Sequence, residues 1–406
     1  MPDQPQEQAR AAASDRPSIT RIIADDGGAL SSELNALRRT LFPPASHKLL
    51  RSFSSGEAAK LIGVADGYLR QLSLASKGPQ PEIGPGGRRS YTLGQINELR
   101  QLLDDGPKAK GYVPHRSGDE HCQVLAVVNF KGGSGKTTTA AHLAQYLALR
   151  GYRVLAVDLD PQASLTALHG YQPEFDVGPN QTLYAAIRHD DEQRPLVEVV
   201  RKTYFPGLDL VPGNLELMEF EHDTPRVLAD RNAEPFFGRI ATALGSVADD
   251  YDVMILDCPP QLGFLTLGAL CAATAMLVTV HPQMLDVMSM CQFLLMASDL
   301  LGVVQEAGAD LDYDFLRYVV TRYEPSDAPQ TQMVGFMRSL FRERVLTHLM
   351  LKSTAISDAG LSKQTLYEIG RESFTRATYD RAIEALDGVN GEIEGLMHRA
   401  WGRNPA

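Results

Sequence analysis

The run Lys131-Gly132-Gly133-Ser134-Gly135-Lys136-Thr137-Thr138 carries the plainest chemistry in this sequence. Glycines lacking a Cβ let successive backbone N–H groups converge on phosphate oxygens, and a helix that follows adds the partial positive charge of its N-terminus. Lys136 can then reach the β and γ phosphates of a nucleoside triphosphate, the Thr137 hydroxyl can ligate Mg2+, and Thr138 can donate to the α phosphate. The common form of such a loop has glycine where this chain has Phe130, and Lys131 is an added lysine ahead of the double glycine. Two acidic motifs follow, Asp158-Leu159-Asp160-Pro161-Gln162 and Asp257-Cys258-Pro259-Pro260. Asp257 is placed to hold Mg2+ through water, and Asp158 or Asp160 to orient an attacking water, because phosphoryl transfer depends mainly on positioning and charge stabilisation. A single such aspartate would read as a helix cap or turn; three motifs in order do not.

Strands must hold these groups. Apolar runs precede each motif: Val124–Val128 before the glycines, Val154–Val157 before Asp158 and Val253–Leu256 before Asp257, with further runs at Ala275–Val280 and Phe315–Val320. Near-continuously apolar strands alternating with helices, the first at Thr139–Arg150, mean a parallel sheet with both faces covered. The expected fold is therefore α/β, a P-loop NTPase with a mostly parallel sheet between helical layers. Carboxylates at the C-terminal edge of that sheet face the ligand crevice. Between Asp257 and Asp286 there is no Asp, Glu, Lys or Arg, but Pro259, Pro260, Gly263, Gly268 and Pro282 interrupt the run. A buried helix followed by a buried strand is expected there, not a membrane span.

The front of the chain differs in charge. Residues 1–118 carry a net +4 and the remainder −15, within a total of −11 over 406 residues. Four domains or segments are expected: a helical arm at 1–45, a small basic unit at 46–105, a Gly/Pro-containing linker at 106–121, and a nucleotide-binding domain at 122–406. In the arm, Leu30, Leu34, Leu37 and Leu41 recur at helical spacing before Pro43-Pro44, which suits either packing on a neighbouring domain or a dimerisation arm. In the basic unit, a serine-capped helix over Ser54–Ile62, a turn at Gly63-Val64 and a helix over Ala65–Leu72 have helix-turn-helix spacing. A Gly-rich tip with Arg88 and Arg89 comes next, then a capping box at Thr92–Gln95 opening the helix Ile96–Leu103. Cys122, Cys258, Cys271 and Cys291 show no Cys-x-x-Cys spacing, so buried thiols in a reducing compartment are expected instead of zinc or redox chemistry. No signal peptide is expected from the polar first 16 residues.

Taken together, Lys131–Thr138, Asp158–Gln162 and Asp257–Pro260 resemble the deviant-Walker ATPases, specifically the ParA partition ATPases, and are most like the RepA proteins of repABC-type bacterial plasmids. The resemblance covers most of the chain from Gln123 to Trp401. It implies ATP and Mg2+ as cofactors, a homodimer formed on ATP binding, and slow hydrolysis stimulated by a ParB-like (RepB-like) centromere-binding partner. It also implies binding to non-specific chromosomal DNA in a cytoplasmic, nucleoid-associated protein. By the same resemblance Lys131 is the signature lysine that crosses to the partner's phosphates, Asp160 is linked to hydrolysis, and Asp257 is the Walker B aspartate. The loop Thr321–Pro325 corresponds to one that contacts adenine. Lys352 stands where a DNA-binding basic residue is expected, while Ala355 replaces an arginine often found there. Arg338, Arg342 and Arg344 offer an alternative basic surface.

The helix-turn-helix, basic hairpin and third helix resemble the winged, MerR-like domain of long ParA proteins. That implies operator binding and autorepression, with Tyr68, Arg70 and Gln71 facing bases or backbone and Arg88 and Arg89 the phosphates or minor groove. The other readings are a MinD-like membrane-associated ATPase, an electron-transfer ATPase like the nitrogenase iron protein, and a pure nucleotide-sensing repressor. The last helix, Gly391–Trp401, places Ile393, Leu396, Met397, Ala400 and Trp401 on one face. With Glu392 and Glu394 beside them, packing against protein is expected there, not membrane binding.

Overall fold

The structure, a computed structural model, describes residues 18–41, 48–106, 111–229, 235–361 and 363–403. It comprises two units, Met1–Lys48 and Leu49–Ala406. The first contains the helix Ile19–Leu41, on which Ile19, Ile22, Ile23 and Leu30 are exposed. The side chains of Leu34, Leu37 and Leu41, and the Pro43-Pro44 stop, lie outside the described residues.

The second unit opens with a small α+β arrangement. Strands β1 (Phe53–Ser54), β2 (Glu82–Ile83) and β3 (Arg89–Tyr91) form an antiparallel sheet in the order β1-β3-β2. The helix Ser55–Ile62 starts at a capping box in which the Ser54 hydroxyl accepts from the Glu57 N–H and the Glu57 carboxylate accepts from the Ser54 N–H. It ends at Gly63, whose φ of 84° lets the chain turn into the helix Asp66–Leu74. The second expected capping box is present between Thr92 and Gln95 and opens the helix Leu93–Asp104.

Seven further strands build the main sheet: β4 (Gln123–Val128), β5 (Val154–Asp158), β6 (Arg201–Lys202), β7 (Leu208–Val211), β8 (Val253–Asp257), β9 (Ala275–Val280) and β10 (Phe315–Val320). Their order is β10-β9-β4-β8-β5-β7-β6, and every pairing is parallel except the antiparallel β6–β7 edge. Strands β4, β5, β8 and β9 are buried along their whole length, which is why they read as unbroken apolar runs. Alternation still sorts their side chains. Leu125 and Val127 join one core layer with the helix Lys136–Arg150 and the C-terminal helix Arg376–Ala400; Val124, Ala126 and Val128 join the layer on the other face.

The charge-free stretch resolves into the buried helix Phe264–Ala272 and β9, as expected. The next helix, Met284–Glu306, is long and apolar enough to cross a bilayer by length and composition, and it leaves Met284, Leu285, Met288, Leu295 and Val303 exposed. The apolar face of the C-terminal helix does turn inward: Ile393, Leu396, Met397 and Trp401 are buried.

The small unit shares its core with the first of those layers. Phe53, Leu69, Ile96 and Leu99 belong to the same cluster as Leu143, Leu147 and Val154. Arg100 bridges the two. It is 2% exposed, and its Nη2 donates to the carbonyls of Leu61 (2.9 Å) and Leu149 (2.5 Å). Burial holds its pKa down at about 10. The segment 111–121 is bonded along its course. Tyr112 and Val113 N–H donate to Asp104, Arg116 donates to the carbonyls of Tyr251, Ala248 and Glu120, and Arg403 donates to those of Pro114 and His115.

Candidate active site

The phosphate loop connects β4 to the helix Lys136–Arg150, the setting its chemistry requires. Gly133 and Gly135 have φ of 77° and 90°, a region that side chains enter at a cost, and these turns fold the loop back over the helix N-terminus. At Gly135 the space is closed as well, since a Cβ there would lie 3.2–3.3 Å from Thr321. The loop is braced from neighbouring strands. Asn129 Nδ2 donates to the Thr279 carbonyl and its Oδ1 accepts from the Lys131 N–H, while Ser134 and Thr279 share a hydroxyl–hydroxyl bond of 3.0 Å.

The two lysines of the loop occupy different environments. Lys136 is buried, 6% exposed, with Nζ 3.4 Å from the Lys131 carbonyl. Burial lowers its pKa, and Asp257 and Asp160 oppose that by favouring the charged form. Lys131 points elsewhere. Its Nζ lies 2.7 Å from Asp286 Oδ2, and its side chain keeps 40% of its surface while that of Asp286 keeps 7%. Asp286 sits in the first turn of the helix Met284–Glu306. An ion pair with one half-exposed member is worth ~1 kcal/mol or less, so it holds the lysine without locking it.

The carboxylates meet at the C-terminal edge of the sheet. Parallel register sets Asp158 of β5 directly beside Asp257 of β8. Asp158 is fully buried, and its Oδ2 accepts from the Thr166 N–H (2.8 Å) and hydroxyl (2.7 Å) while Oδ1 accepts from the Asp160 N–H (3.2 Å). Of the two readings of this motif, Asp158 is thus occupied in shaping the loop. Asp160 is half-buried, and its Oδ1 accepts only the Gln162 N–H at 2.9 Å among the described residues, which leaves it the carboxylate open to the site. Burial raises both Asp158, to about 7, and Asp257; like charge adds to each, from Asp160 on Asp158 and from Asp158 and Asp160 on Asp257.

Both oxygens of Asp257 are buried without a well-formed hydrogen bond, although the Thr137 hydroxyl and Lys136 are close enough to favour its ionised form. An orphaned buried carboxylate beside a hydroxyl is the donor set a hard divalent cation takes. The residues therefore fit Mg2+, and the glycine cradle with Lys136 fits a nucleoside triphosphate.

The remaining predicted site residues lie apart from the loop. Tyr68, Arg70 and Gln71 are exposed on the helix Asp66–Leu74, whose Leu69 is buried. Arg88 is exposed at the hairpin tip, whereas Arg89 in β3 is half-buried with an unpartnered Nε. Strand alternation separates them, which adjacency in sequence does not reveal. Lys352 Nζ lies 2.7 Å from Glu324 Oε1, so its charge is shared with a carboxylate. Arg338 donates to the Thr347 carbonyl and Arg344 lies over the Phe341 ring. Ala355 is buried. Sequence reasoning missed Asp286, Asn129, Thr166 and Thr279. Only Asp286 carried a signal, as the first charged residue after the long uncharged stretch.

Residues 122–303 match the model of a family described as an AAA domain. A protein of Rhizobium rhizogenes named "Putative replication protein A" is 58% identical over 388 residues, covering 95% of this chain and 96% of its own length. Protein SopA of Escherichia coli (strain K12) is 30% identical over 369 residues, covering 88% of this chain and 92% of its own. A solved structure titled Partition Protein superimposes with a TM-score of 0.58 over 92% of this chain and 98% of that one; at 17% identity the likeness speaks for the fold alone. Braced phosphate loop, paired edge carboxylates and these relatives agree: the chain belongs to the ParA family of plasmid-type partition ATPases, and works as an ATPase with ATP and Mg2+.

Proposed function

We propose that this ATPase partitions plasmid DNA as an ATP-dependent homodimer that binds DNA, is stimulated by a ParB-like centromere-binding partner, and represses its own operon through residues 46–105. The observation that carries the reading is the split between the lysines: Lys136 is turned into its own cradle and Lys131 is held outside it on Asp286. A cation parked at the rim is available to a second copy's triphosphate, where it acts as an arginine finger does. Nucleotide occupancy and dimerisation then form one linked equilibrium.

Within one site, the loop amides and Lys136 bind and orient the phosphates, Thr137 and Asp257 hold Mg2+, and Asp160 positions water. Bound Mg2+ offsets charge on the phosphate oxygens. The stacking of the C-terminal helix against the sheet supports protein packing there and removes the apolar face a MinD-like membrane helix would need. On this reading the protein is cytoplasmic and nucleoid-associated, as membership of the ParA family supports.

The test is ATP turnover alone, with non-specific DNA, with the centromere-binding partner, and with both. Stimulation by the partner and DNA together, at least several-fold over either alone, is expected. Turnover indifferent to both would reduce the protein to a nucleotide-sensing repressor.

For the N-terminal unit, residues 46–116 carry 11 basic against 6 acidic side chains, and Arg88, Tyr68, Arg70 and Gln71 are solvent-facing. Replacing Arg88 and Arg89 together with alanine is expected to weaken operator binding about tenfold at physiological salt and to lower the slope of log K against log salt by about one to two. Because Arg89 is half-buried, Arg88→Ala alone should account for most of the slope change. Equal slopes in parent and double variant would remove the hairpin from the interface.

A further inference from the structure

The turn after β10 grips the back of the phosphate loop. Thr321 Oγ1 donates to the Ser134 carbonyl at 2.7 Å, and Arg322 Nη1 donates to the Gly133 carbonyl at 3.2 Å. In extended chain, neighbouring side chains point to opposite faces, so two adjacent residues do not normally serve one loop. Arg322 does so through a left-handed backbone, φ 54°, which is strained for a side-chain-bearing residue. The strain is held from both sides. The Thr321 N–H donates to the Val280 carbonyl, and the next residue, Tyr323, is tied to a neighbouring segment by its N–H to the Met350 carbonyl and by the Lys352 N–H to its own carbonyl.

The two gripped carbonyls belong to consecutive peptides. Their N–H groups are those of Ser134 and Gly135, members of the phosphate cradle. A hydrogen bond to a carbonyl polarises its peptide and strengthens the N–H at the other end, most strongly when the donor is charged. The guanidinium also adds a positive charge at the mouth. Its field reaches His281, as do those of Lys131, Asp286 and Glu324.

We propose that Arg322 is a positioning residue for triphosphate binding: held left-handed beside Thr321, it clamps the Gly133 carbonyl and so sets the charge and shape of the phosphate cradle. This role is on the phosphate side, apart from any contact that the loop makes with adenine. It follows from the ATPase activity alone and does not depend on dimerisation or DNA binding.

Arg322→Gly is the decisive variant, because glycine accepts φ 54° without strain and the backbone is retained. Binding of the fluorescent analogues mant-ATP and mant-ADP, with Mg2+, should weaken about tenfold. The thermal midpoint without nucleotide should not fall, which separates lost binding from lost folding. Methylguanidinium at millimolar concentration should restore much of the lost affinity in the variant and do nothing to the parent. Unchanged dissociation constants would overturn the proposal, and so would a loss of affinity that methylguanidinium does not reverse. If Arg322→Gly is unstable, Arg322→Gln, which keeps the stem without the charge, is read in the same way, with Arg322→Lys expected to fall between it and the parent.

Discussion

A Lys131→Ala protein should bind ATP nearly as well as the parent, within about threefold, yet stay monomeric when ATP is added, with partner-stimulated turnover down about a thousandfold or more. Binding survives because the cradle amides, Lys136 and the metal residues are untouched; Lys131 Nζ faces Asp286, not the loop interior. Turnover and dimerisation fail together because one cation serves both. Light scattering with a non-hydrolysable ATP analogue checks the first, and a phosphate-release assay the second. An ATP-dependent dimer of normal stability would reject the scheme. Asp286→Asn is the companion. Loss of the parking contact, worth ~1 kcal/mol, should lower the ATP concentration for half-maximal dimerisation about fivefold.

Asp257→Asn should separate activity from stability. Its carboxylate is buried, next to Asp158, and lacks a well-formed hydrogen bond. Without a cation, burial and like charge raise both pKa values, so the folded protein holds protons that the unfolded chain releases. The sign follows: the metal-free parent loses stability as pH rises from the ordinary carboxylate range toward about 7, where Asp158 titrates. Mg2+ needs the ionised form, so its binding expels protons and tightens over the same window. The asparagine variant should lose about a hundredfold in Mg2+-dependent nucleotide affinity. Its metal-free thermal midpoint at neutral pH should nevertheless rise above the parent's, with a flatter pH dependence. Calorimetry in two buffers of different ionisation enthalpy reads proton release, and thermal scans at pH 5 and 7.5 read stability. A variant with normal Mg2+ response, or with the parent's pH slope intact, would remove Asp257 from the metal site.

The central sheet was legible because its strands are buried on both faces and so write themselves as apolar runs ending in acids. The edge was not. β7 has four residues and β6 only two, and β6 turns antiparallel, so neither gives a run long enough to recognise. The motifs located the cradle and the edge carboxylates, since those depend on local spacing. Which of Asp158 and Asp160 faces the ligand depended on Thr166, eight residues after Asp158, and so on tertiary contact. The partner of Lys131 lies 155 positions away and that of Lys352 lies 28 positions away. Such pairings are set by which strand ends meet at one edge, a property of topology that no local pattern records.

Arg100 has a consequence for any attempt to shorten the protein. Its guanidinium is the lid over the far end of the very helix that begins at the phosphates, and Gly151 exists in a conformation that leaves room for it: a Cβ there would sit 2.9 Å from its Nη1. An ATPase excised at residue 121 would bare that helix end, along with a strip of shared core, to water. Here the part that looks like an accessory module is also a wall of the motor.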